Sequence, residues 1–382
     1  MKIFYWCPFI GNVATIDAVI NSIDSINKYS KKLFDPYLLN TAGEWEPKNK
    51  LLNEKKIKTI NFYNKNLMQY LPKLGFLKSR FTYIIIFFLT VAKLHKVLKQ
   101  EKPDYLVIHL ITFIPLFLIL FFNYKTKFIL RISGYPKLNI FRKIFWKILG
   151  KKIFIVTTPT LSTMKLLNSQ NIFPRDKIKY LPDPVLKISE IQKKRNESNI
   201  VEKYISKENS LISIGRLTKQ KNFTFLINVF YEIQKKYENF NLIILGEGEE
   251  RKILEKKINE LNLSNKIFLI GYKKNIYDYL KESRIFIQTS LWEDPGFVLL
   301  EAGYSNKIVL SSNCPNGPIE ILDNGNNGFL YKLNSIKDFM QNFEKIINSN
   351  EATLLKKKIM LKKKCKEFTL FNHFNKFKDI LE

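Results

Sequence analysis

The sequence of 382 residues has only three cysteines, Cys7, Cys314 and Cys365, and they lie far apart. It has no Cys-x-x-Cys pair, so neither a disulfide framework nor a cysteine zinc site is indicated. A reducing cytoplasm is the simplest inference from this cysteine usage. The first residues contain no long apolar run and no cleavage site, so we expect no signal peptide.

Acidic residues are scarce too, because 34 Asp and Glu stand against 63 Lys and Arg, which gives a formal net charge of +29. Such a balance predicts attraction to an anionic partner: nucleic acid, phospholipid head groups or phosphorylated substrates. A genome biased towards lysine and asparagine codons would explain part of the excess. The sequence shows no tandem repeat and no low-complexity tract.

Long apolar runs are few. Residues 105–122 are almost all apolar, but His109, Thr112 and Pro115 interrupt a run already short for a bilayer. We interpret this segment as a buried strand followed by an apolar helix. A second run, residues 81–89, falls in a predicted helix with a basic end. Two such helices suit a protein on a membrane surface, and equally two well-buried helices.

Strand and helix patterns alternate along the whole chain, which predicts an α/β fold of mainly parallel sheets covered on both faces. The length and a polar stretch at residues 187–209 predict two domains, 1–186 and 210–366, joined by a linker at 187–209. Residues 367–382 form a final helix, which we expect to pack back on the first domain. Two such sheets imply a cleft at the carboxyl ends of their strands.

Residues 290–303 place two acids, Glu293 and Glu301, on either side of a Pro295-Gly296 turn. The apolar run after the turn predicts a helix, whose first N–H groups and dipole favour an anion. Taken alone, the two acids are better explained as a solvated loop residue, Glu293, and an ordinary acid in the first turn of a helix, Glu301.

A basic loop follows the strand predicted at residues 210–215. It contains Arg216, Lys219 and Lys221; arginine can clasp phosphate oxygens in a fork, and lysine acts as a point charge. Two glycines at positions 246 and 248 follow the next strand. Position 251 is arginine where a dinucleotide fingerprint would have its third glycine, so we reject that interpretation.

The combination resembles the retaining glycosyltransferases of family 4, which have the GT-B fold of two facing Rossmann-like domains with a cleft between them. The motifs cover most of residues 210–330, and the first half of the chain resembles the family more loosely. The matching segments are Gly215-Arg216 with Lys221-Asn222, residues 246–249, residues 270–272, and residues 292–302.

The resemblance implies a role for each matching residue. Arg216 and Lys221, in the loop that begins at Gly215, would bind the diphosphate of a nucleotide sugar and stabilise the leaving group. Glu301 would hold the ribose hydroxyls, and Glu293 would contact the hydroxyls of the donor sugar.

Backbone groups complete the donor site that the resemblance implies. The backbone of Gly296, Phe297 and Val298 would cover the β-phosphate at the start of the helix. Gly271 and the residues after it, beginning with Tyr272, would form the wall against which the base lies.

In the first half, the resemblance assigns His109 to the acceptor domain as a histidine that reaches the reacting sugar. The alternative for His109 is a buried core histidine at the end of a strand. Gly11 stands where the family has a glycine-rich first loop, although Asn12 replaces a second glycine. The predicted catalytic set is therefore His109, Glu293, Arg216 and Lys221.

Metal independence is expected, because the other class of glycosyltransferases uses Asp-x-Asp to hold a divalent ion and this sequence has no such motif. No cofactor is expected beyond the nucleotide sugar itself. A double displacement would need a carboxylate nucleophile, for which Glu293 is the nearest candidate. Because same-face attack is the usual proposal in the resembled family, we assign Glu293 to donor orientation.

We therefore expect a cytoplasmic glycosyltransferase, peripheral on the inner face of the cell membrane and attracted to its anionic surface. It would move a hexose or N-acetylhexosamine to a lipid-linked saccharide for O-antigen, capsule or another surface glycan. A UDP-sugar donor is favoured by the loop at residues 313–318, and GDP-mannose is the alternative. Other classes are a basic nucleic-acid-binding protein, although no specific nucleic acid is expected, and a GT-B phosphorylase or epimerase.

Several basic side chains outside the motifs have two interpretations. Arg131 and Lys137 are candidates for contact with an anionic acceptor, and ordinary solvated cations are the alternative. His95 and His373 lie on lysine-rich predicted helices, so we expect both at the surface.

Overall fold

The computed structural model describes residues 1–11, 13–71, 76–136, 138–197, 205 and 208–382, with the backbone alone for 76–80. The chain forms two compact units. Unit 1 comprises Met1–Val185 together with Leu370–Glu382, and unit 2 comprises Leu186–Thr369.

Unit 1 contains a seven-stranded sheet whose paired strands are all parallel, in the order β3-β2-β1-β4-β5-β6-β7. The central strands are buried on both faces, which explains why they read as short continuous apolar runs. The strands are β1 (Lys2–Trp6), β2 (Asp35–Asn40), β3 (Lys58–Asn61), β4 (Tyr105–Ile108), β5 (Lys127–Arg131), β6 (Ile155–Thr158) and β7 (Ile178–Tyr180).

The helices of the first 185 residues cover both faces of this sheet. They are α1 (Ala14–Tyr29), α2 (Asn49–Glu54), α3 (Phe76–Glu101), α4 (Phe113–Phe121), α5 (Ile140–Leu149) and α6 (Leu161–Ser169). Side chains of β1 alternate between the faces, so Phe4 and Trp6 join a core with α3, α4 and α5. Ile3 and Tyr5 join the opposite core with α1.

The apolar segment at residues 105–122 forms β4 and then α4, as the sequence predicts. Among the described residues, one helical segment is long and apolar enough by length and composition to cross a membrane. It is Phe81–Glu101 of α3, and 28% of the apolar stretch of 18 residues within it is buried in the protein.

Unit 2 contains a six-stranded parallel sheet in the order β10-β9-β8-β11-β12-β13. Its strands are β8 (Ser210–Ile214), β9 (Asn241–Leu245), β10 (Ile267–Gly271), β11 (Ile285–Gln288), β12 (Ile308–Ser312) and β13 (Phe329–Tyr331). Its helices are α7 (Ile188–Asn196), α8 (Phe223–Lys236), α9 (Arg251–Glu260), α10 (Tyr277–Lys281), α11 (Phe297–Tyr304), α12 (Pro318–Ile321), α13 (Ile336–Asn348) and α14 (Glu351–Cys365).

Helix α13 shows how the sequence determines where a helix begins and which of its side chains are buried. Ser335 precedes it, and its side chain accepts a hydrogen bond from the Asp338 N–H, which satisfies one of the free donors at the helix start. Phe339, Phe343 and Ile346 follow at helical spacing and are fully buried. Burial of each such side chain stabilises the fold by about 1.5–3 kcal/mol.

Helix α15 (Leu370–Leu381) belongs to unit 1 and packs against α1. Its His373 is only 3% exposed, so the prediction of a surface histidine is wrong. The ring Nδ1 bonds to Pro182 O at 2.7 Å and Nε2 to Ser22 Oγ at 2.9 Å. The imidazole thus connects α15 both to α1 and to the segment after β7.

The stretch predicted as a linker, residues 187–209, begins with helix α7, which belongs to unit 2. Its Arg195 bonds to Tyr304 O and Ser305 Oγ at the end of α11. Residues 198–204 and 206–207 of the predicted linker lie outside the described residues.

In both sheets the strand order reverses once, and these switch points are where open α/β sheets bind ligands. In unit 1 the reversal lies between β1 and β4, and in unit 2 between β8 and β11. The loops after these four strands contain Gly11, His109, Arg216 and Glu293, respectively.

Candidate functional site

Two loops form one connected surface at the switch point of unit 2. The loop after β8 is tied to the loop after β11 by three hydrogen bonds to main-chain oxygens, besides an ion pair between side chains. Thr289 Oγ1 donates to Lys221 O at 2.8 Å, and Leu291 N donates to Gln220 O at 2.8 Å. Gln220 Nε2 donates in turn to Trp292 O at 2.9 Å. The basic loop and the acidic loop are therefore held in fixed register.

The centre of this surface is an ion pair between Lys221 Nζ and Glu293 Oε1, 2.5 Å apart. The same oxygen accepts bonds from Ser290 Oγ at 2.6 Å and Gln288 Nε2 at 2.8 Å. Glu293 is only 6% exposed. Its other oxygen, Oε2, accepts no hydrogen bond from the described residues, so this oxygen is free to accept one from a ligand.

The glycines at 246 and 248 support the basic loop from the side. A Cβ at Gly246 would lie 1.8 Å from Gly215 O, and one at Gly248 would lie 2.3 Å from Leu217 O. Leu217 N also bonds to Glu247 O at 2.9 Å. These glycines therefore allow two backbones to meet, a structural role that is separate from the rejected dinucleotide fingerprint.

Gly296 is the residue that turns the acidic loop into α11, with φ +100°. The N–H groups of Phe297 and Val298, the first two of the helix, donate to no acceptor in the described parts of the chain. The loop is fixed from behind by Asn316, whose Nδ2 bonds to Asp294 Oδ1 at 2.6 Å. Two free donors at the positive end of a helix can bind an anion.

Glu301 lies one turn into α11 and is half-buried. Its Oε1 accepts a hydrogen bond from the Tyr277 hydroxyl at 3.2 Å. Burial raises the pKa of Glu301 to about 7, and Tyr277, Lys194 and Lys187 partly oppose that rise. Glu301 therefore differs from an ordinary solvated acid, because its charge state changes near neutral pH.

The remaining predicted donor residues lie at the same carboxyl-terminal edge of the sheet, after β8 and β10. Arg216 is exposed, and its guanidinium has no hydrogen-bond or ion-pair partner in the part of the chain that the structure describes. Gly271 has φ +83°, and the following Tyr272 is 76% exposed. No hydrogen bond or ion pair joins Arg216, Gly271 or Tyr272 to the Lys221–Glu293 pair.

In unit 1, His109 follows β4 and is only 7% exposed. Its ring stacks on that of Tyr5, with centroids 5.9 Å apart, and neither ring nitrogen has a hydrogen-bond partner among the described residues. Burial, with the positive charges of Arg131 and His373, holds the pKa of His109 well below its usual value, so the ring is neutral.

His109 and Gly11 line the same cavity of about 960 Å³ within unit 1. The other walls come from three helices, through Tyr83 of α3, Phe113 of α4 and Phe141 of α5. Gly11 is exposed, and no atom would lie within 4 Å of a Cβ there, so its position requires no glycine. Asn12 lies outside the described residues.

Arg131 has a structural role. It is 3% exposed, donates to Leu181 O at 2.7 Å and forms an ion pair with Asp183. Its guanidinium is committed to the segment after β7, so Arg131 is not an ordinary solvated cation. It also lines the cavity that contains His109, and its contact with an anionic acceptor stays a prediction. Lys137 lies outside the described residues.

Residues 193–366 match the family described as glycosyl transferases group 1. The match covers 174 of the 382 residues of the chain. The family resemblance inferred from the motifs is therefore confirmed, and the matched range contains both loops of the unit 2 site.

Two curated relatives extend the comparison. An uncharacterised glycosyltransferase of Methanocaldococcus jannaschii, MJ1059, is 36% identical over 247 residues, which are 60% of this chain and 60% of that protein. The UDP-Gal:alpha-D-GlcNAc-diphosphoundecaprenol alpha-1,3-galactosyltransferase of Escherichia coli is 29% identical over 195 residues, 48% of this chain and 49% of that protein. The chain thus matches about half to three fifths of the length of these two relatives.

Among solved structures, HepE of Anabaena in complex with UDP has a TM-score of 0.75 at 16% sequence identity. The likeness covers 100% of this chain and 99% of that one. It shows the fold, and the predicted GT-B class, α/β with two Rossmann-like units, is confirmed.

Three side chains of the unit 2 site were not predicted from the sequence. Gln288 and Ser290 hold Glu293, and Tyr277 holds Glu301. A signal existed for the first two, because polar residues at the carboxyl end of a buried strand mark this edge of the sheet. Tyr277 carries no such signal, since it lies on a short helix before β11. Within the described ranges, no cluster of three or more His, Cys, Asp or Glu could hold a metal ion.

Proposed function

We propose that this protein is a retaining glycosyltransferase that moves a hexose or N-acetylhexosamine from a nucleotide sugar to a lipid-linked saccharide in surface-glycan synthesis. The observation that carries the proposal is the Lys221–Glu293 pair beside the free N–H groups of α11. Cationic and backbone donors stand there next to a carboxylate oxygen that is free to accept. A sugar diphosphate presents the matching groups, phosphate oxygens beside hydroxyl donors.

The donor's parts correspond to different residues of this surface. The diphosphate would lie on Lys221, Arg216 and the N–H groups of Phe297 and Val298, with the ribose hydroxyls donating to Glu301. A UDP-sugar is favoured, with GDP-mannose as the alternative. Two similar proteins support UDP: HepE of Anabaena, whose structure is in complex with UDP, and the UDP-Gal galactosyltransferase of Escherichia coli.

Catalysis requires that the charge growing on the leaving diphosphate be stabilised. The ammonium of Lys221 has three protons, of which one bonds to Glu293, so others remain for a phosphate oxygen. With Arg216 and the start of α11, this arrangement supplies the charge without a metal, and we propose a metal-independent reaction. Glu293 orients the sugar through Oε2, while the acceptor attacks on the same face as the departing diphosphate.

The acceptor site is proposed in unit 1. His109 lines the cavity of about 960 Å³ with two ring nitrogens that lack partners among the described residues, so it can bond to an acceptor hydroxyl. The lipid-linked class is supported by the name of the Escherichia coli relative, which acts on a diphosphoundecaprenol-linked sugar. Such a substrate places the enzyme on the inner face of the cell membrane.

A donor screen tests the proposal. Pure protein is incubated with UDP- and GDP-sugars and a prenyl-diphosphate saccharide, with and without a chelator, and released nucleotide and labelled product are measured. We expect transfer from one UDP-sugar, unchanged by the chelator. Lys221→Ala should abolish transfer, whereas Lys219→Ala, an exposed lysine of the same loop, should not. A folded protein that neither transfers nor hydrolyses any donor would refute the proposal.

A further inference from the structure

Large apolar side chains are exposed on three neighbouring helices of unit 1. Phe88 on α3 is 72% exposed, Phe121 on α4 is 62% exposed and Phe141 on α5 is 85% exposed. The helices are in contact: α3 packs on α4, where Phe87 stacks on Phe113 at 5.7 Å, and α4 packs on α5. We call the outer faces of these three helices the apolar surface.

Helix α5 carries the densest part of the apolar surface. Ile140, Ile144 and Ile148 recur every four residues, so they share one side of the helix, and each is more than half exposed. Trp146 and Leu149 face the core and are buried. A surface helix normally has one apolar stripe, buried against its own core. Helix α5 has a second, exposed stripe, which no described residue of unit 1 covers.

The charges around the apolar surface identify its partner. Lys143 and Lys147 flank the isoleucine stripe, and Lys151 follows the helix. Helices α4 and α5 contain no Asp or Glu, and α3 contains only Glu101 at its last position. A second copy of this chain would bring like charges together, whereas an anionic lipid surface complements both the cations and the apolar stripe.

The buried side of α3 determines whether this helix spans the membrane or lies on its surface. Although Phe81–Glu101 is long enough to cross a bilayer, Ile86, Leu94 and Leu98 of this segment are fixed in the core of unit 1. The helix therefore lies on the membrane with its outer face and does not span it. Phe113 and Phe141 also line the cavity that contains His109, so the apolar surface continues to the rim of that cavity.

We infer that the outer faces of α3, α4 and α5 form a membrane-docking surface, with the isoleucine stripe of α5 in the lipid interface and the lysines on anionic head groups. Docked in this way, the cavity opens next to the bilayer, where a lipid-linked acceptor resides; this last step rests on the proposed function.

Vesicle sedimentation tests the docking surface. The probes are vesicles of phosphatidylglycerol and phosphatidylcholine in equal parts, and vesicles of phosphatidylcholine alone. We expect Ile144→Ser/Ile148→Ser, and separately Phe88→Ser, to lower partitioning onto the anionic vesicles by about tenfold. Lys143→Gln/Lys147→Gln should weaken binding to the anionic vesicles alone. The matched control is Ile253→Ser on α9 of unit 2, an isoleucine that is 59% exposed and should have no effect.

Equal partitioning of wild type, Ile144→Ser/Ile148→Ser and Phe88→Ser would overturn the inference. So would a wild-type protein that binds no vesicle but forms a dimer that these changes dissociate. Hydrolysis of the nucleotide sugar in solution, measured on the same samples, should be unchanged in the two apolar variants. If hydrolysis and transfer are absent while partitioning follows the expected pattern, the proposed function fails and the docking surface stands.

Discussion

At the scale of single residues, the Glu293 carboxylate has two unlike oxygens. Oε1 accepts bonds from Lys221, Ser290 and Gln288, while Oε2 accepts none from the described residues. One oxygen therefore fixes the side chain, and the other remains for a sugar hydroxyl. This asymmetry suits an orienting residue better than a nucleophile, because the donors on Oε1 lower the electron density of the whole carboxylate.

Glu293→Gln should reduce turnover far more than nucleotide binding. The amide keeps the size of the side chain but loses the charge that orients the sugar, so we expect kcat to fall by about 100-fold, while the Kd for UDP changes by less than about threefold. Glu301→Gln is the matched variant and should weaken UDP binding by about tenfold, because the ribose hydroxyls lose a charged acceptor. Similar effects of both variants in calorimetric titrations with UDP would disprove this division of roles.

The pKa of Glu301, raised by burial to about 7, predicts that donor affinity depends on pH. Ribose hydroxyls donate to the ionised form, so binding releases a proton and tightens as pH rises through 7. About one tenth of the side chain is ionised at pH 6 and nine tenths at pH 8. Because the neutral form should bind about tenfold more weakly, as in Glu301→Gln, affinity for UDP-glucose should rise about fivefold. Titrations in this range should show that slope in wild type and a flat profile in Glu301→Gln. A flat wild-type profile would contradict the assignment.

At the scale of elements, a close backbone contact holds the acidic loop. Gly317 has φ +127°, and a Cβ there would lie 2.0 Å from Pro295 O, beside the start of α11. Gly325 is the natural control, because it has φ +97° but open space around its Cβ. In both alanine variants the free energy of unfolding should fall by about 1–2 kcal/mol, because alanine is strained at a positive φ.

Gly317→Ala should in addition displace the loop and weaken UDP binding by about tenfold, whereas Gly325→Ala should bind UDP normally. Thermal unfolding and UDP titration of both variants separate the two effects. Equal UDP affinity in the two variants would show that the contact with Pro295 does not position the site.

The docking of α15 on unit 1 predicts a loss of stability in acid. The pKa of His373 is lowered to about 3, chiefly by burial, whereas an unfolded histidine titrates near 6.5. Between these two pKa values the unfolded chain binds a proton at His373 that the folded chain does not bind. The free energy of unfolding therefore falls progressively as pH drops from about 6.5 towards 3. Between pH 7 and pH 5, His373 should lower the free energy of unfolding by about 2 kcal/mol.

Denaturant unfolding of wild type and His373→Gln at both pH values measures this contribution. The variant should be less stable at pH 7 but should lose about 2 kcal/mol less on acidification. An unchanged pH slope in the variant would mean that the wild-type histidine becomes protonated without leaving its site.

Sequence patterns predicted most regular elements well, because the buried strands are short apolar runs and most helices have apolar residues at helical spacing. Strand β8 and the start of α11 lie where the motifs placed them. Contacts between residues far apart in the sequence could not be predicted from such patterns. That Lys221 and Glu293 form a direct ion pair, that Tyr277 bonds to Glu301 and that His373 is buried all depend on packing between distant segments. Helix α7 was missed because its polar composition resembles that of a linker.

At the scale of the whole molecule, the net charge of +29 is compatible with two kinds of anionic partner. A nucleic-acid-binding protein would concentrate cations on one reading surface, beside aromatic side chains that stack on bases. Here, cations flank the exposed stripe of α5, and the loop with Arg216 and Lys221 faces a carboxylate. These two groups of cations are the ones that the proposed donor and the proposed docking surface use.

The charge still predicts measurable nucleic-acid binding, of a kind that carries no specificity. Two duplexes of equal length and unrelated sequence should bind with equal affinity, and that affinity should fall by about tenfold or more between about 50 and 200 mM salt, because binding is driven by counterion release. Fluorescence anisotropy with both duplexes measures this, and UDP should not compete, since Lys221 and Arg216 are a small part of the total charge. A preference for one sequence that persists at the higher salt concentration would instead indicate a dedicated nucleic-acid surface and would count against a membrane enzyme.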